Sequence, residues 1–128
     1  MLKQVICNSI ADLDAFITQN LDFFKQKQIL LLNGDLGAGK TTFVKRLALA
    51  LGIHEPITSP SFNYVKTYEG LVHIDLYNYG GDIEEFEDYF ENNIVAIEWA
   101  SKTSFDFGDF LEIKAWINLE NQHCFEIV

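Results

Sequence analysis

The amino-acid sequence predicts a single α/β domain spanning residues 1–128, in which helices flank a mixed, mostly parallel sheet that also contains antiparallel hairpins. Three observations predict this fold. Short apolar runs typical of buried strands alternate with two long segments that have the apolar periodicity of helices. A strand, a glycine-rich loop and a helix follow each other within residues 28–51. Strand pairs joined by turn residues occupy the middle and the end of the chain.

The first half of the chain begins with a predicted strand at residues 3–7. Ser9 and Asp12 then form a capping-box pattern that opens a long helix. A continuous apolar run at residues 28–33 predicts a buried strand, and Gly52 is suited to end the helix predicted over residues 42–51. The apolar residues of the two helices recur at helical spacing, namely Leu13, Phe16, Ile17, Leu21 and Phe24 in the first and Phe43, Leu47 and Leu51 in the second.

The second half is divided by turn signals. Glu69-Gly70 marks the turn of a first hairpin, Asp82 is suited to cap a short helix with an acidic outer face, and Glu98 ends a buried strand. The predicted elements are strands at residues 62–68, 71–75 and 94–97, the short helix after Asp82, and a C-terminal hairpin of residues 110–119 and 122–128. Interleaved strands and helices of this kind indicate a mixed sheet.

Composition narrows the classes of function. The chain has 19 acidic and 9 basic residues, a net charge of −10, which argues against extensive direct contact with nucleic-acid phosphates. The acidity more simply indicates solubility than a basic partner. Cys7 and Cys124 lack the spacing of metal ligands, so we expect buried free thiols. No leader-like or membrane-length apolar segment is evident, and we therefore expect a cytoplasmic protein with no membrane contact.

Residues 34–41, with the sequence Gly-Asp-Leu-Gly-Ala-Gly-Lys-Thr, match the pattern G-x-x-x-x-G-K-[ST] in full. Glycines allow successive backbone N–H groups to approach a triphosphate closely. In this pattern Lys40 would reach the β- and γ-phosphates and the Thr41 hydroxyl would bind Mg²⁺. The flanking strand and helix are the context that the pattern requires. The motif therefore predicts a P-loop that binds a nucleoside triphosphate, rather than an ordinary glycine-rich turn.

Two carboxylates are candidates for the acidic group that assists the metal in such a site. Asp75 and Glu98 each end an apolar strand, where ligand chemistry gathers in sheets of this type. We expect at least one of them to serve Mg²⁺, and the spacing alone does not choose between them. His73 shares a strand face with Asp75 and is interpreted as a structural histidine, and Trp99 on its own is typical of a core residue.

Other segments bear on the nucleotide and on the rate of its hydrolysis. The absence of an Asn-Lys-x-Asp segment favours ATP over GTP. Thr58 and Ser59 offer hydroxyls that could sense the γ-phosphate as a switch loop does, although a plain polar connector fits the composition equally well. Arg46 is the only arginine and lies on the helix leading away from the phosphates. An arginine finger contributes about 10³–10⁵ in rate, so hydrolysis by the chain alone is expected to be slow.

These motifs in this order resemble the bacterial TsaE family. The resemblance is carried by residues 34–43, by Thr-Ser-Pro-Ser-Phe at 58–62, by His-Ile-Asp-Leu-Tyr at 73–77, and by Glu98-Trp99. It implies a small P-loop ATPase needed to make N6-threonylcarbamoyladenosine beside the anticodon of tRNA. It also implies that the protein binds TsaD and TsaB, touches tRNA only indirectly, and uses ATP hydrolysis to reset the complex. TsaD, not this chain, would transfer the threonylcarbamoyl group.

The resemblance also assigns roles to residues of this chain. It implies ATP and Mg²⁺ as cofactors, Thr41 and Glu98 as metal ligands, and Thr58 and Ser59 as part of a switch-like loop. Lys40, Asp75 and Glu98 would take part in catalysis. The residues that it places at the nucleotide are Leu36, Gly37, Ala38, Gly39, Lys40, Thr41, Thr42, Asp75 and Trp99. The chain departs from the family pattern at Asn78, where arginine is usual, and at Ala100, where proline is common.

Two other functions are compatible with a P-loop. A small-molecule kinase would need an acceptor pocket and usually basic lid residues, and neither is evident in this acidic chain. A nucleotide-binding subunit that does not hydrolyse ATP fits the scarcity of arginine, but not the two carboxylates at strand ends. A P-loop core without a lid or a substrate domain favours a function in which a protein partner responds to a change in the shape of the core.

Overall fold

A seven-stranded sheet forms the centre of the protein in a computed structural model that describes residues 3–58, 64–77, 79–100 and 105–128. Its strands are β1 (Gln4–Cys7), β2 (Ile29–Asn33), β3 (Val65–Tyr68), β4 (Leu71–Asp75), β5 (Ile94–Glu98), β6 (Leu111–Ile117) and β7 (His123–Ile127). The helices are α1 (Ile10–Lys27), α2 (Lys40–Ala50) and a 3₁₀-helix at Ile83–Tyr89. The strand order across the sheet is β1-β7-β6-β2-β5-β4-β3. This architecture confirms the predicted α/β fold.

The middle of the sheet is parallel and its edges are antiparallel. β2 pairs in parallel with both β5 and β6, and β4 pairs in parallel with β5. The predicted hairpins β3–β4 and β6–β7 are antiparallel, as is the pairing of β1 with β7. Because β2, β4 and β5 run the same way, the residues that follow them meet at one edge of the sheet.

Helices α1 and α2 pack on one face of the sheet and form the larger core with it. The ring of Phe43 joins the layers, since its centroid lies 6.0 Å from that of Phe24 on α1 and 5.5 Å from that of Phe125 on β7. The guanidinium of Arg46 donates from two nitrogens to the carboxylate of Asp14 at 2.7 Å each, which links the two helices at the surface. These contacts hold α2 against the sheet and against α1.

The opposite face of the central strands is covered by a second core that includes Ile83 and Phe86 of the 3₁₀-helix. Both faces of β2 and β5 are therefore buried, which explains their unbroken apolar sequences. The predicted short helix is a 3₁₀-helix, and the carboxylate of Asp82 accepts from the Glu84 N–H at 3.0 Å at its start. No helix among the described residues has the length and hydrophobicity to span a bilayer.

The N-terminus of α1 and the buried thiol of Cys124 agree with the sequence analysis, whereas Cys7 is only partly buried. The carboxylate of Asp12 accepts from the Asn8 N–H at 2.8 Å and from the Ser9 N–H at 3.3 Å, as a capping box requires. Cys7 and Cys124 are free thiols, and burial raises the pKa of the Cys7 thiol to about 11. The Cys7 thiol is therefore not activated by its environment.

Candidate nucleotide site

The predicted P-loop runs from the end of β2 to the start of α2, and its glycines are required by close packing or by a positive φ. An ideal Cβ at Gly34 would lie 2.2 Å from the carbonyl oxygen of Ala115 on β6. Gly39, the residue before α2, has a φ of 111°, and Gly37 has a φ of 82°. Residues with a side chain rarely adopt such values. The loop therefore bends sharply and leaves the first N–H groups of α2 available for an anion.

Lys40 is held at the centre of this loop. Its side chain is only 5% exposed, and its Nζ donates to the carbonyl oxygen of Gly34 and, at 3.1 Å, to that of Asp35. The Nζ also lies 3.9 Å from the centroid of the Trp99 ring. Burial lowers the pKa of the Lys40 ammonium, against the opposing attraction of nearby carboxylates, among them Glu98. The ammonium is thus positioned beside the loop where phosphates would lie.

The Thr41 hydroxyl and the Glu98 carboxylate are in direct contact. Thr41 Oγ1 lies 3.1 Å from Glu98 Oε1 and 3.0 Å from Oε2, although the residues are 57 positions apart in sequence. Glu98 is 3% exposed. Hydroxyl and carboxylate oxygens are the hard ligands that Mg²⁺ prefers, and Mg²⁺ is commonly bound by one or two protein ligands together with phosphates and waters. The oxygens of Thr41 and Glu98 therefore fit Mg²⁺. The described residues contain no cluster of three or more His, Cys, Asp or Glu that could hold a metal ion by themselves.

Asp75 enters the site from the neighbouring strand. It pairs with Glu98 in the register of β4 and β5, so both carboxylates project from the same face of the sheet. Asp75 Oδ1 accepts from the Tyr77 N–H at 3.0 Å. Burial is the main reason that the pKa of Asp75 is raised, and the nearby Glu98 raises it further. The sequence predicted Asp75 and Glu98 as two candidates for the acidic group that assists the metal, and the structure places both at one cavity.

His73 contacts the site, which sequence reasoning did not foresee. It lies two residues before Asp75 on β4 and is fully buried. Its Nε2 lies 2.5 Å from Glu98 Oε2. The alternation of side chains along the strand placed His73 and Asp75 on one face, but spacing along one strand does not reveal a contact with the next strand.

Trp99 is half-buried above Lys40 rather than enclosed in the core. Its φ of 61° turns the chain at the end of β5, and its N–H donates to the carbonyl oxygen of Leu32 at 3.3 Å. The ring also packs against Tyr77, with the two centroids 4.9 Å apart. Trp99 therefore forms a wall of the site beside the lysine.

A cavity of about 300 Å³ opens over the loop. The sequence-predicted residues that line it are Leu36, Gly37, Gly39, Lys40, Thr41, Thr42, Asp75, Glu98 and Trp99. Ala38 is instead buried in the core beneath the loop. Thr58 is exposed and accepts from the Nζ of Lys66, and it does not line this cavity. Ser59, the other residue of the predicted switch-like loop, and Asn78 lie outside the described residues.

A second cavity of about 440 Å³ adjoins the first and shares Gly39, Thr42 and His123 with it. Its far side is formed by the turn that starts α1, at Asn8 and Ser9, and by the turn between β6 and β7. His123 Nδ1 lies 3.0 Å from the carbonyl oxygen of Ala38, which ties β7 to the loop. No sequence signal pointed to His123, because its position depends on how the C-terminal hairpin packs.

The chain is similar to known proteins over most of its length. The sequence profile of the family described as "Threonylcarbamoyl adenosine biosynthesis protein TsaE" matches residues 7–124. The tRNA threonylcarbamoyladenosine biosynthesis protein TsaE of Aquifex aeolicus is 37% identical over 110 residues, which are 80% of each chain. The Treponema pallidum protein of the same name is 36% identical over 98 residues, covering 67% of this chain and 70% of that protein.

Solved structures give the same result for the fold. The crystal structure of Bacillus subtilis YdiB superimposes with a TM-score of 0.76 at 27% identity, covering 99% of this chain and 86% of that one. The family profile covers nearly the whole sequence, and it includes the loop, the strand ends and β6 described above. The chain belongs to the TsaE family of threonylcarbamoyl adenosine biosynthesis proteins.

Proposed function

We propose that this chain is a magnesium-dependent ATPase that binds a TsaD–TsaB complex and supports threonylcarbamoylation of the tRNA adenosine next to the anticodon. Membership of the TsaE family supports the pathway. The contact of Thr41 with Glu98 beside the buried Lys40 carries the proposal of ATP hydrolysis, because it assembles a metal-binding pair and a phosphate-binding cation at one P-loop.

The two adjoining cavities provide room for a complete nucleotide. The backbone N–H groups at the start of α2 and the ammonium of Lys40 would hold the β- and γ-phosphates in the smaller cavity. To receive them, Lys40 must exchange its bonds to the carbonyl oxygens of Gly34 and Asp35 for bonds to phosphate oxygens. The larger cavity, reached past Gly39 and Thr42, would take the ribose and the base.

Hydrolysis requires a metal site and an oriented water. Thr41 and Glu98 would hold Mg²⁺, which neutralises negative charge on the transferring phosphoryl group. Both oxygens of Glu98 are already engaged by Thr41 and His73. Asp75 lines the cavity beside them, and we assign to it the orientation of the attacking water.

The sequence contains one arginine and therefore offers no second one as an arginine finger, which favours dependence on a partner. Its single arginine, Arg46, is paired with Asp14 on the outer side of α2. Turnover by the chain alone should therefore be slow, and the complex should accelerate it. The net charge of −10 fits contact with tRNA through the partners rather than directly.

The test is multiple-turnover tRNA modification by purified TsaD and TsaB homologues with a supplied threonylcarbamoyl donor. If ATP hydrolysis resets the complex, modification should stop near one tRNA per TsaD without this chain and continue when the chain and ATP are added. The Lys40→Ala variant should not restore turnover. Equal multiple turnover without the chain would contradict the proposed role.

A further inference from the structure

His73 is an unusual residue for its position. The strand Leu71–Asp75 lies in the parallel part of the sheet, and its first four residues are fully buried. Burying a polar ring there costs free energy unless the ring forms hydrogen bonds. Nδ1 has no hydrogen-bond partner within the part of the chain that the structure describes. The contact of Nε2 with Glu98 is therefore the polar interaction that compensates for burial of the ring.

The contact with His73 makes the two oxygens of the Glu98 carboxylate differ in their partners. Oε2 contacts both His73, at 2.5 Å, and Thr41, at 3.0 Å, whereas Oε1 contacts Thr41 at 3.1 Å. The carboxylate is thus held from the sheet by the imidazole and from α2 by the hydroxyl. Because Oε2 is held by His73, rotation of the glutamate side chain is restricted, and Oε1 would be the oxygen directed to a bound metal.

We propose that His73 is a positioning residue that orients Glu98 for magnesium binding. This inference rests on the proposed function, because it requires Glu98 to be a metal ligand. Residues that orient a metal ligand typically contribute about 10- to 100-fold in metal affinity or activity. Loss of the Nε2 contact should therefore weaken the gain in nucleotide affinity that Mg²⁺ provides, while metal-free nucleotide binding stays intact.

Two substitutions separate this role from simple filling of space. In His73→Gln the amide nitrogen lies the same number of bonds from Cβ as the imidazole Nε2, so it can donate to Glu98. In His73→Asn the amide is one bond too short. His54→Gln is the matched control, because His54 is exposed on the loop after α2.

The measurement is the affinity for a fluorescent N-methylanthraniloyl-ADP in EDTA and in Mg²⁺, together with the melting temperature. The ratio of the two affinities should fall about 10-fold or more in His73→Asn and stay within about 3-fold of wild type in His73→Gln and His54→Gln. An unchanged ratio in a folded His73→Asn variant overturns the proposal. So does an equal loss in both His73 variants, since that pattern indicates a packing role.

A second readout uses the unmodified protein. In imidazole ¹⁵N NMR, the Nε2 signal of His73 should move when Mg²⁺ is added to the ADP complex, while His54 serves as the unaffected reference. An Nε2 signal of His73 that does not shift on addition of Mg²⁺ contradicts the proposal, even if the His73→Asn variant does not fold. If Mg²⁺ does not strengthen ADP binding in wild type, the proposed function fails and the inference fails with it. If Mg²⁺ strengthens ADP binding equally in wild type and in His73→Asn, the inference about His73 is wrong but the proposed function stands.

Discussion

The Thr41 hydroxyl bridges both oxygens of Glu98, at 3.1 and 3.0 Å, and so joins the P-loop to the end of β5. The sheet register produces this contact. Leu32, at the end of β2, pairs with Glu98, so the loop that follows β2 begins beside the carboxylate. The parallel pairing of the strands thus brings together, from two distant segments, the hydroxyl and the carboxylate that we propose as magnesium ligands.

Glu98→Gln should separate metal-dependent catalysis from nucleotide binding. The amide keeps the size of the side chain but removes the negative charge that attracts Mg²⁺. We expect Mg²⁺-dependent ATP turnover to fall by more than about 10-fold. ATP affinity in EDTA should change by less than about 3-fold, because the phosphates are held by the loop. Equal loss of affinity and turnover would show that Glu98 has a structural role instead.

Lys40→Ala should weaken ATP binding and remove turnover, because the phosphates lose their positively charged partner. A hydrogen bond to a charged group contributes about 1.5–3 kcal/mol, which corresponds to a loss of about 10- to 100-fold in affinity. Lys45→Ala is the matched control, since Lys45 lies on the same helix and is exposed. Isothermal titration with ATP measures both variants. Wild-type affinity in Lys40→Ala would mean that the site assignment is wrong.

Asp75→Asn should stabilise the fold at neutral pH while it lowers ATP turnover. Burial is the main reason that the pKa of Asp75 is raised above 3.8 in the folded state. The folded state therefore binds more protons between 3.8 and that raised pKa, and stability decreases as pH rises through this window. Asparagine removes this loss and can still accept from the Tyr77 N–H.

Urea unfolding of the Asp75→Asn variant and wild type at several pH values measures this effect. The variant should be the more stable of the two at pH 7, and the difference should shrink toward pH 3.5. A difference of the same size at both pH values would contradict the assignment of burial as the cause.

Gly34→Ala should destabilise the protein through its backbone neighbour. A Cβ at this position would lie 2.2 Å from the carbonyl oxygen of Ala115, so the loop or β6 must shift. We expect a loss of about 2–3 kcal/mol in the free energy of unfolding in urea. Gly108→Ala is the control, because its φ of 72° is strained for alanine but nothing lies within 4 Å. That change should cost about 1 kcal/mol. Equal losses would contradict the packing argument.

Much of the fold could be predicted because the strands carry local signals. Apolar runs identified β2 and β5, turn residues identified both hairpins, and the P-loop pattern identified the strand, loop and helix around it. The helix begins at Lys40, two residues before the predicted start, because the last residues of the motif already form its first turn. The choice of Asp75 and Glu98 as candidates followed from the rule that ligand chemistry gathers at the carboxyl ends of parallel strands. These inferences needed only local sequence and a general rule of topology.

The remaining features depend on contacts between distant segments. The bond from His73 to Glu98 requires the register of β4 against β5, and the contact of His123 with Ala38 requires the packing of β7 beside the loop. Tryptophan is a residue type typical of the core, and only the turn after β5 places Trp99 over Lys40. Sequence periodicity carries no information about such pairings.

Phosphate release from Mg·ATP tests the central claim most directly, measured first for this chain alone and then with TsaD and TsaB homologues from the same organism. We predict slow release by the chain alone, stimulation by the pair, and loss of both in Lys40→Ala. Absence of release under both conditions, or no response to the pair, would contradict the account of a partner-activated ATPase.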